Sequence, residues 1–187
     1  EDDLRTGDWA FYYPNGKLEE KGNYAKGEKP HGKWLWYHEN GNLWREENNK
    51  NGLEEGSFVE YNDTGKVLLK GNYSGGEEEG QWLYEEGDTK REGEYVEGKK
   101  SGVWKIFYSN DNIYFEGNFI DGYEDGKHIY YYTDKTKMLE GKYVMGSKDG
   151  EWKHYLPDGS IALSIFYENG IERKIDGVII KPRHIIL

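Results

Sequence analysis

The sequence predicts an all-β fold, an elongated single-layer antiparallel meander of about seven repeated β-hairpins. Three observations lead there. A glycine followed two residues later by a ring recurs at Gly7, Gly32, Gly56, Gly80, Gly102, Gly126 and Gly150, a spacing of 22 to 25 residues. Turn signals of the Asn-Gly and Asp-Gly kind fall between short aromatic runs, and both tolerate the positive φ that tight hairpins need. The mean hydropathy of −1.04 and 33% charged residues would suit a disordered chain, but 16% aromatics would not. With 17 Tyr and 7 Trp, ring bodies can be buried while their polar tips stay wet.

The repeats follow in order. Repeat one opens with GDW at Gly7, turns at PNG from Pro14 and closes with GNY at Gly22. Repeat two opens with GKW, runs WLWY from Trp34 and turns at ENG from Glu39. Its second strand departs from the rule, with Glu47, Asn48 and Asn49 where Gly-x-aromatic is expected. Repeat three has GSF at Gly56, DTG from Asp63 and GNY at Gly71; alternation puts Val67, Leu69, Gly71 and Tyr73 on one face. Repeat four, GQW at Gly80, is two residues shorter, turns at EEGDT and closes with GEY at Gly93. Repeat five has GVW at Gly102, WKIFY and GNF at Gly117. Repeat six has His128 in the Trp place and GKY at Gly141; repeat seven has GEW at Gly150 and PDG from Pro157. A glycine inside the second strand leaves a gap that a neighbouring ring can lie over. Trp34 and Tyr37, three apart on a first strand, call for a bulge or for aromatic cover on both faces.

Residues 1–6 read as a lead-in, 7–173 as the seven repeats and 174–187 as an apolar cap, in which 178–180 and 185–187 cover the last hairpin's edge or dock a partner. The chain starts at Glu1 without Met, which favours an exported protein, periplasmic or at the cell surface, over a cytoplasmic one; further repeats can precede it. There is no Cys, hence no disulfide framework and no thiolate site. A net charge of −11 argues against nucleic acid and anionic lipid as partners, and for a basic partner or a cation. No apolar run has the length of a transmembrane segment.

The pattern Y-x-x-G-x-x-x-x-G-x-W-x-x-Y, seen as YSGGEEEGQWLY from Tyr73 and YVMGSKDGEWKHY from Tyr143, resembles the MORN repeat in its bacterial variant form, as do the turns PNGKL and ENGNL. The resemblance covers about nine tenths of the chain. It implies ribbons of hairpins that act in scaffolding and protein–protein contact, with lipid binding implied by the family's name and an antitoxin-like label on some bacterial variants. It implies no catalytic motif.

Candidate chemistry is sparse. The turns GLEEG, GEEEG, GYEDG and GSKDG align Glu54, Glu55, Glu77, Glu78, Glu79, Glu124, Asp125 and Asp149 as an acidic edge. That edge would dock a basic protein surface or keep the sheet soluble and its edges guarded. No loop has calcium-binding spacing. His128 and His154 lack a third metal ligand and read as neutral surface residues. No G-x-S-x-G turn is present. One place in the second strand varies between repeats, running Glu19, Trp44, Leu68, Tyr114, Met138, Ala162, and is expected to point away from the face of the conserved-type ring. With Tyr13, Trp36 and Tyr132 on first strands, Trp44 and Tyr114 form the candidate partner-binding rings. The expected function is a non-enzymatic scaffold for protein–protein interaction, without cofactor or metal. A cell-wall or glycan-binding module stacking sugars on exposed Trp and Tyr is the second reading, and an enzyme would need a deep pocket.

Overall fold

The structure is a computed structural model that describes residues 4–180. Strands pair within each repeat as β1 (Gly7–Tyr12) and β2 (Leu18–Ala25), β3 (Lys29–Tyr37) and β4 (Leu43–Lys50), β5 (Leu53–Tyr61) and β6 (Val67–Ser74), β7 (Glu77–Glu86) and β8 (Thr89–Val96). They continue as β9 (Lys99–Phe107) and β10 (Ile113–Ile120), β11 (Tyr123–Tyr131) and β12 (Lys137–Val144), β13 (Ser147–Tyr155) and β14 (Ile161–Glu168). An eighth, shorter hairpin follows, β15 (Ile171–Ile175) and β16 (Val178–Ile179). The strand order is the chain order, in a single open antiparallel sheet of sixteen strands. Among the described residues the seven expected repeats are thus joined by one short further hairpin. Asp176-Gly177 turns the chain back, so Val178 and Ile179 form the outer strand, 71% and 68% exposed. Residues 185–187, read as part of the cap, lie outside the described residues. By compactness the chain divides into two units, one up to Gly87 with Glu94–Gly98, the other Asp88–Gly93 with residues from Lys99 onward.

Two kinds of irregularity give each repeat its form. Between repeats, three residues of the incoming strand face one of the outgoing strand. Lys21 pairs with Leu35 and Asn23 with His31, so Gly32, Lys33 and Trp34 all stand against Gly22. Gly32 has a φ of 70°, a conformation side chains resist, and it turns the strand so that Trp34 lies flat on Gly22. A Cβ at Gly22 would stand 2.1 Å from the Trp34 ring, one at Gly71 2.2 Å from Trp82 and one at Gly141 2.1 Å from Trp152. This is how a sheet without a second layer buries Trp34, Trp82, Trp104 and Trp152 to 3% exposure or less. Tyr24, Tyr73 and Tyr143 close the sides, each edge-on to its Trp at 4.8 to 5.0 Å.

Within a hairpin the bulge falls on the second strand, not on the first as the Trp34–Tyr37 spacing suggested. Trp36 pairs with Arg45 and Tyr37 with Leu43, leaving Trp44 unpaired. Leu68, Tyr114, Met138 and Ala162 occupy the same unpaired place. The place that varies is therefore the bulge residue, which the ladder does not constrain.

The turns between repeats are two-residue loops with positive φ at both positions, as at Asn51-Gly52, Gly75-Gly76, Asp121-Gly122 and Met145-Gly146. In the first unit the amides of Gly52, Gly76 and Gly98 donate to the carbonyls of Pro30, Glu54 and Glu78 one repeat back. In the second, Gly122, Gly146 and Gly170 donate likewise to Lys100, Glu124 and Lys148.

Candidate interaction surfaces

Each predicted aromatic residue has a definite place. In the first unit, Tyr13 is half-buried and its hydroxyl donates to the carbonyl of Tyr37 at 2.6 Å. In the second, Tyr132 donates in the same way to Tyr155 at 2.8 Å. Tyr108 and His38 occupy equivalent places, bonding the carbonyls of Tyr131 and Tyr61. These groups form rungs between successive repeats. Trp36 stacks on Trp34 at 5.8 Å, donates its ring N–H to Glu20 Oε2 at 2.6 Å and is covered by the Arg45 guanidinium at 5.1 Å. Trp44, on its bulge, is 40% exposed beside His38. Tyr114 does not turn away as expected. Its ring lies edge-on to Tyr108 at 5.2 Å and Tyr130 at 5.7 Å, and Tyr130 belongs to the buried face through Phe115. The bulge shifts the alternation by one residue and brings Tyr114 back to that face.

The acids divide by role. Glu55 accepts the amide of Gly75 at 2.9 Å, Glu79 that of Glu97 at 3.1 Å and Asp125 that of Met145 at 3.1 Å. Each carboxylate caps the next turn, so these three hold the edge together as well as charging it. Glu54, Glu78 and Glu124 lend their backbone carbonyls to the turn glycines. Glu77 is exposed and Asp149 half-buried. The Lys148 ammonium lies over Trp152 at 4.5 Å and Tyr167 at 5.0 Å, and Lys100 over Trp104 and Phe119, so the edge also carries cations.

Two buried polar places interrupt the ring row. His128 is 1% exposed, not a surface residue as the sequence suggested. It packs among Phe115, Phe119 and Tyr143, and its Nε2 has no hydrogen-bond partner. Burial pushes its pKa below the ordinary 6.5. In repeat two, Glu47 takes the glycine place between Trp34 and Phe58 and Asn49 the tyrosine place, both 7% exposed. Arg45 pairs with Glu47, and Asn49 donates to Glu47 at 2.9 Å. Nothing in the spacing foretold this cluster, but the departure at 47–49 marks its position.

The opposite face carries glutamate–tyrosine pairs. Tyr131 donates to Glu116 and Tyr155 to Glu140, both at 2.6 Å. The Tyr131 hydroxyl is pushed up to about 12 by burial and by its bond to Glu116. Burial pushes the Glu140 carboxyl up, but hydrogen bonds from Lys137, Tyr155 and Lys127 outweigh it and hold it at about 2. Among the described residues no group of three or more His, Asp or Glu could hold a metal ion, and no helix is long and apolar enough to cross a membrane.

The model of the MORN repeat variant family matches residues 5–26, 30–51, 100–121 and 148–169. The chain carries MORN variant repeats. The matched segments are the first, second, fifth and seventh of the repeats, and each runs from two residues before an opening glycine to one residue past the second strand. The MORN variant pattern is thus one hairpin, both strands and the turn between them. No curated protein matches the chain.

Proposed function

We propose that this MORN variant protein is a non-enzymatic scaffold that binds another protein through bulge-borne side chains and the acidic turn edge. The observation that carries the reading is the bulge. Its residue takes no part in the ladder, varies from repeat to repeat, and in repeat two presents Trp44 at 40% exposure. The acids along the turns, Glu77 exposed and the rest half-buried, would steer a basic partner and add ionic-strength-dependent association. The test is capture from source-cell extract by wild type and by Trp44→Ala with Trp36→Ala and Tyr114→Ala, once circular dichroism shows both folded. A protein held by wild type and lost by the variant supports the reading. Equal capture by both removes the rings from it. Capture of wall polysaccharide with no protein replaces it with glycan binding.

A further inference from the structure

We propose that the pocket around Glu116 seats a lysine side chain of a partner protein. The inference rests on the scaffold reading and adds a second, chemically defined site on the face opposite the buried rings. Glu116 lies between Phe115 and Gly117 in β10, and both of those meet His128 on the ring face, so Glu116 belongs to the other face.

The molecule itself shows what this place holds. In repeat two, Glu46 is paired with Lys33 at 2.8 Å. In repeat six, Glu140 is paired with Lys127 at 3.2 Å and Lys137 at 2.8 Å. Lys33 and Lys127 each follow the opening glycine by one residue, and Lys137 is the cross-strand partner of Tyr131. In repeat five the corresponding residues are Val103, one after Gly102, and Ile113, opposite Phe107. Both lysines have been replaced by apolar residues while the glutamate is kept. Glu116 accepts the Tyr131 hydroxyl and makes no ion pair among the described residues.

What remains is a pocket of about 430 Å³ with Phe107, Ile113 and Tyr131 as walls, Glu116 within, and Asp111 and Lys135 on exposed positions of the lining. Apolar walls ending at a carboxylate fit a four-carbon stem carrying an ammonium group. A phosphate or carboxylate ligand would meet Glu116 with like charge. The net charge of −11 favours approach of a cationic partner. Lys135 on the rim, Lys105 opposite Glu116 in the ladder and Lys127 beside it are the internal competitors for the same carboxylate.

The probe is the peptide acetyl-Ala-Ala-Lys-Ala-Ala-amide, titrated into the isotopically labelled protein and read by the amide shifts of Ile113, Glu116 and Tyr131. The same peptide with its lysine ε-acetylated is the control. The expected result is saturable shifts with the lysine peptide alone, weakened about tenfold or more by Glu116→Gln. Val103→Lys, which installs the lysine that repeat six carries, should abolish the shifts in a protein that remains folded. Equal shifts with the acetylated peptide, no shifts in wild type, or undiminished binding by Val103→Lys overturn the site. None of these outcomes affects capture dependent on Trp44, and loss of that capture leaves this titration unchanged, so the two readings fail separately.

Discussion

At His128 a ring that can carry charge fills the place held by Trp34, Phe58, Trp82, Trp104 and Trp152 in other repeats. Phe115 and Phe119 face it from β10 and Tyr143 from β12; Glu124 and Asp125 on its own strand favour its charged form, but burial dominates. Its folded pKa lies below the unfolded 6.5, so the unfolded chain binds the proton more readily. Stability should therefore fall as pH drops through about 6.5 and stop falling below the folded value. His128→Phe, the residue repeat three uses, should abolish that step, as thermal melts between about pH 7.5 and 5.5 would read. Glu140 works in a lower window: held at about 2 against 4.5, it stabilises above 4.5 and loses that contribution as pH falls towards 2. Gly141→Ala should cost about 1–3 kcal/mol by forcing Trp152 off its floor, measured by denaturant unfolding. The role of glycine under the ring was legible in sequence, because Gly recurs two before Tyr or Phe. The burial of His128 was not, because a histidine in a charged sequence reads as wet until its neighbours on other strands are known.

At the scale of the element, the turns between repeats were legible and the bulges were not. Asn51-Gly52 and Asp121-Gly122 announce their geometry, since both residues of such a loop need positive φ. Met145 adopts φ 46° without the help of an Asn or Asp side chain, and it is 58% exposed. Met145→Asn should stabilise the protein by about 1 kcal/mol, seen as a raised melting temperature. The bulge escaped the sequence because alternation is counted within a strand, whereas a bulge is a mismatch with the partner strand. Simple alternation puts Tyr114 on the wrong face, because the bulge shifts the count by one residue. The same blindness hid the second job of Glu55, Glu79 and Asp125. Their carboxylates looked like surface charge, but each reaches an amide about twenty residues away in sequence.

At the scale of the whole chain, the strands of the described residues pair only with their sequence neighbours. Such a design is nearly additive in its repeats. Asp125-Gly126 and Asp149-Gly150 are equivalent joints, so deleting residues 126–149 splices one repeat out without changing the joint. The shortened protein should keep its β-type circular dichroism, melt a little lower and lose the pH step assigned to His128. The order of strands was legible from the period, and the family from the period together with the Gly-x-Trp and late-Tyr pattern. The number of hairpins was not, because β15 and β16 lack the opening glycine–aromatic pair and are recognisable only by their pairing.

The rungs that join successive repeats span about one repeat of sequence: Tyr13 to Tyr37, Gly52 to Pro30, Gly146 to Glu124. Among the described residues no bond of this kind waits for a distant part of the chain. During synthesis, a hairpin leaving the ribosome finds its partner already present in the hairpin before it. The nascent chain can therefore crystallise onto its own finished edge, one repeat at a time, and the slow search for remote partners that burdens most β proteins is removed.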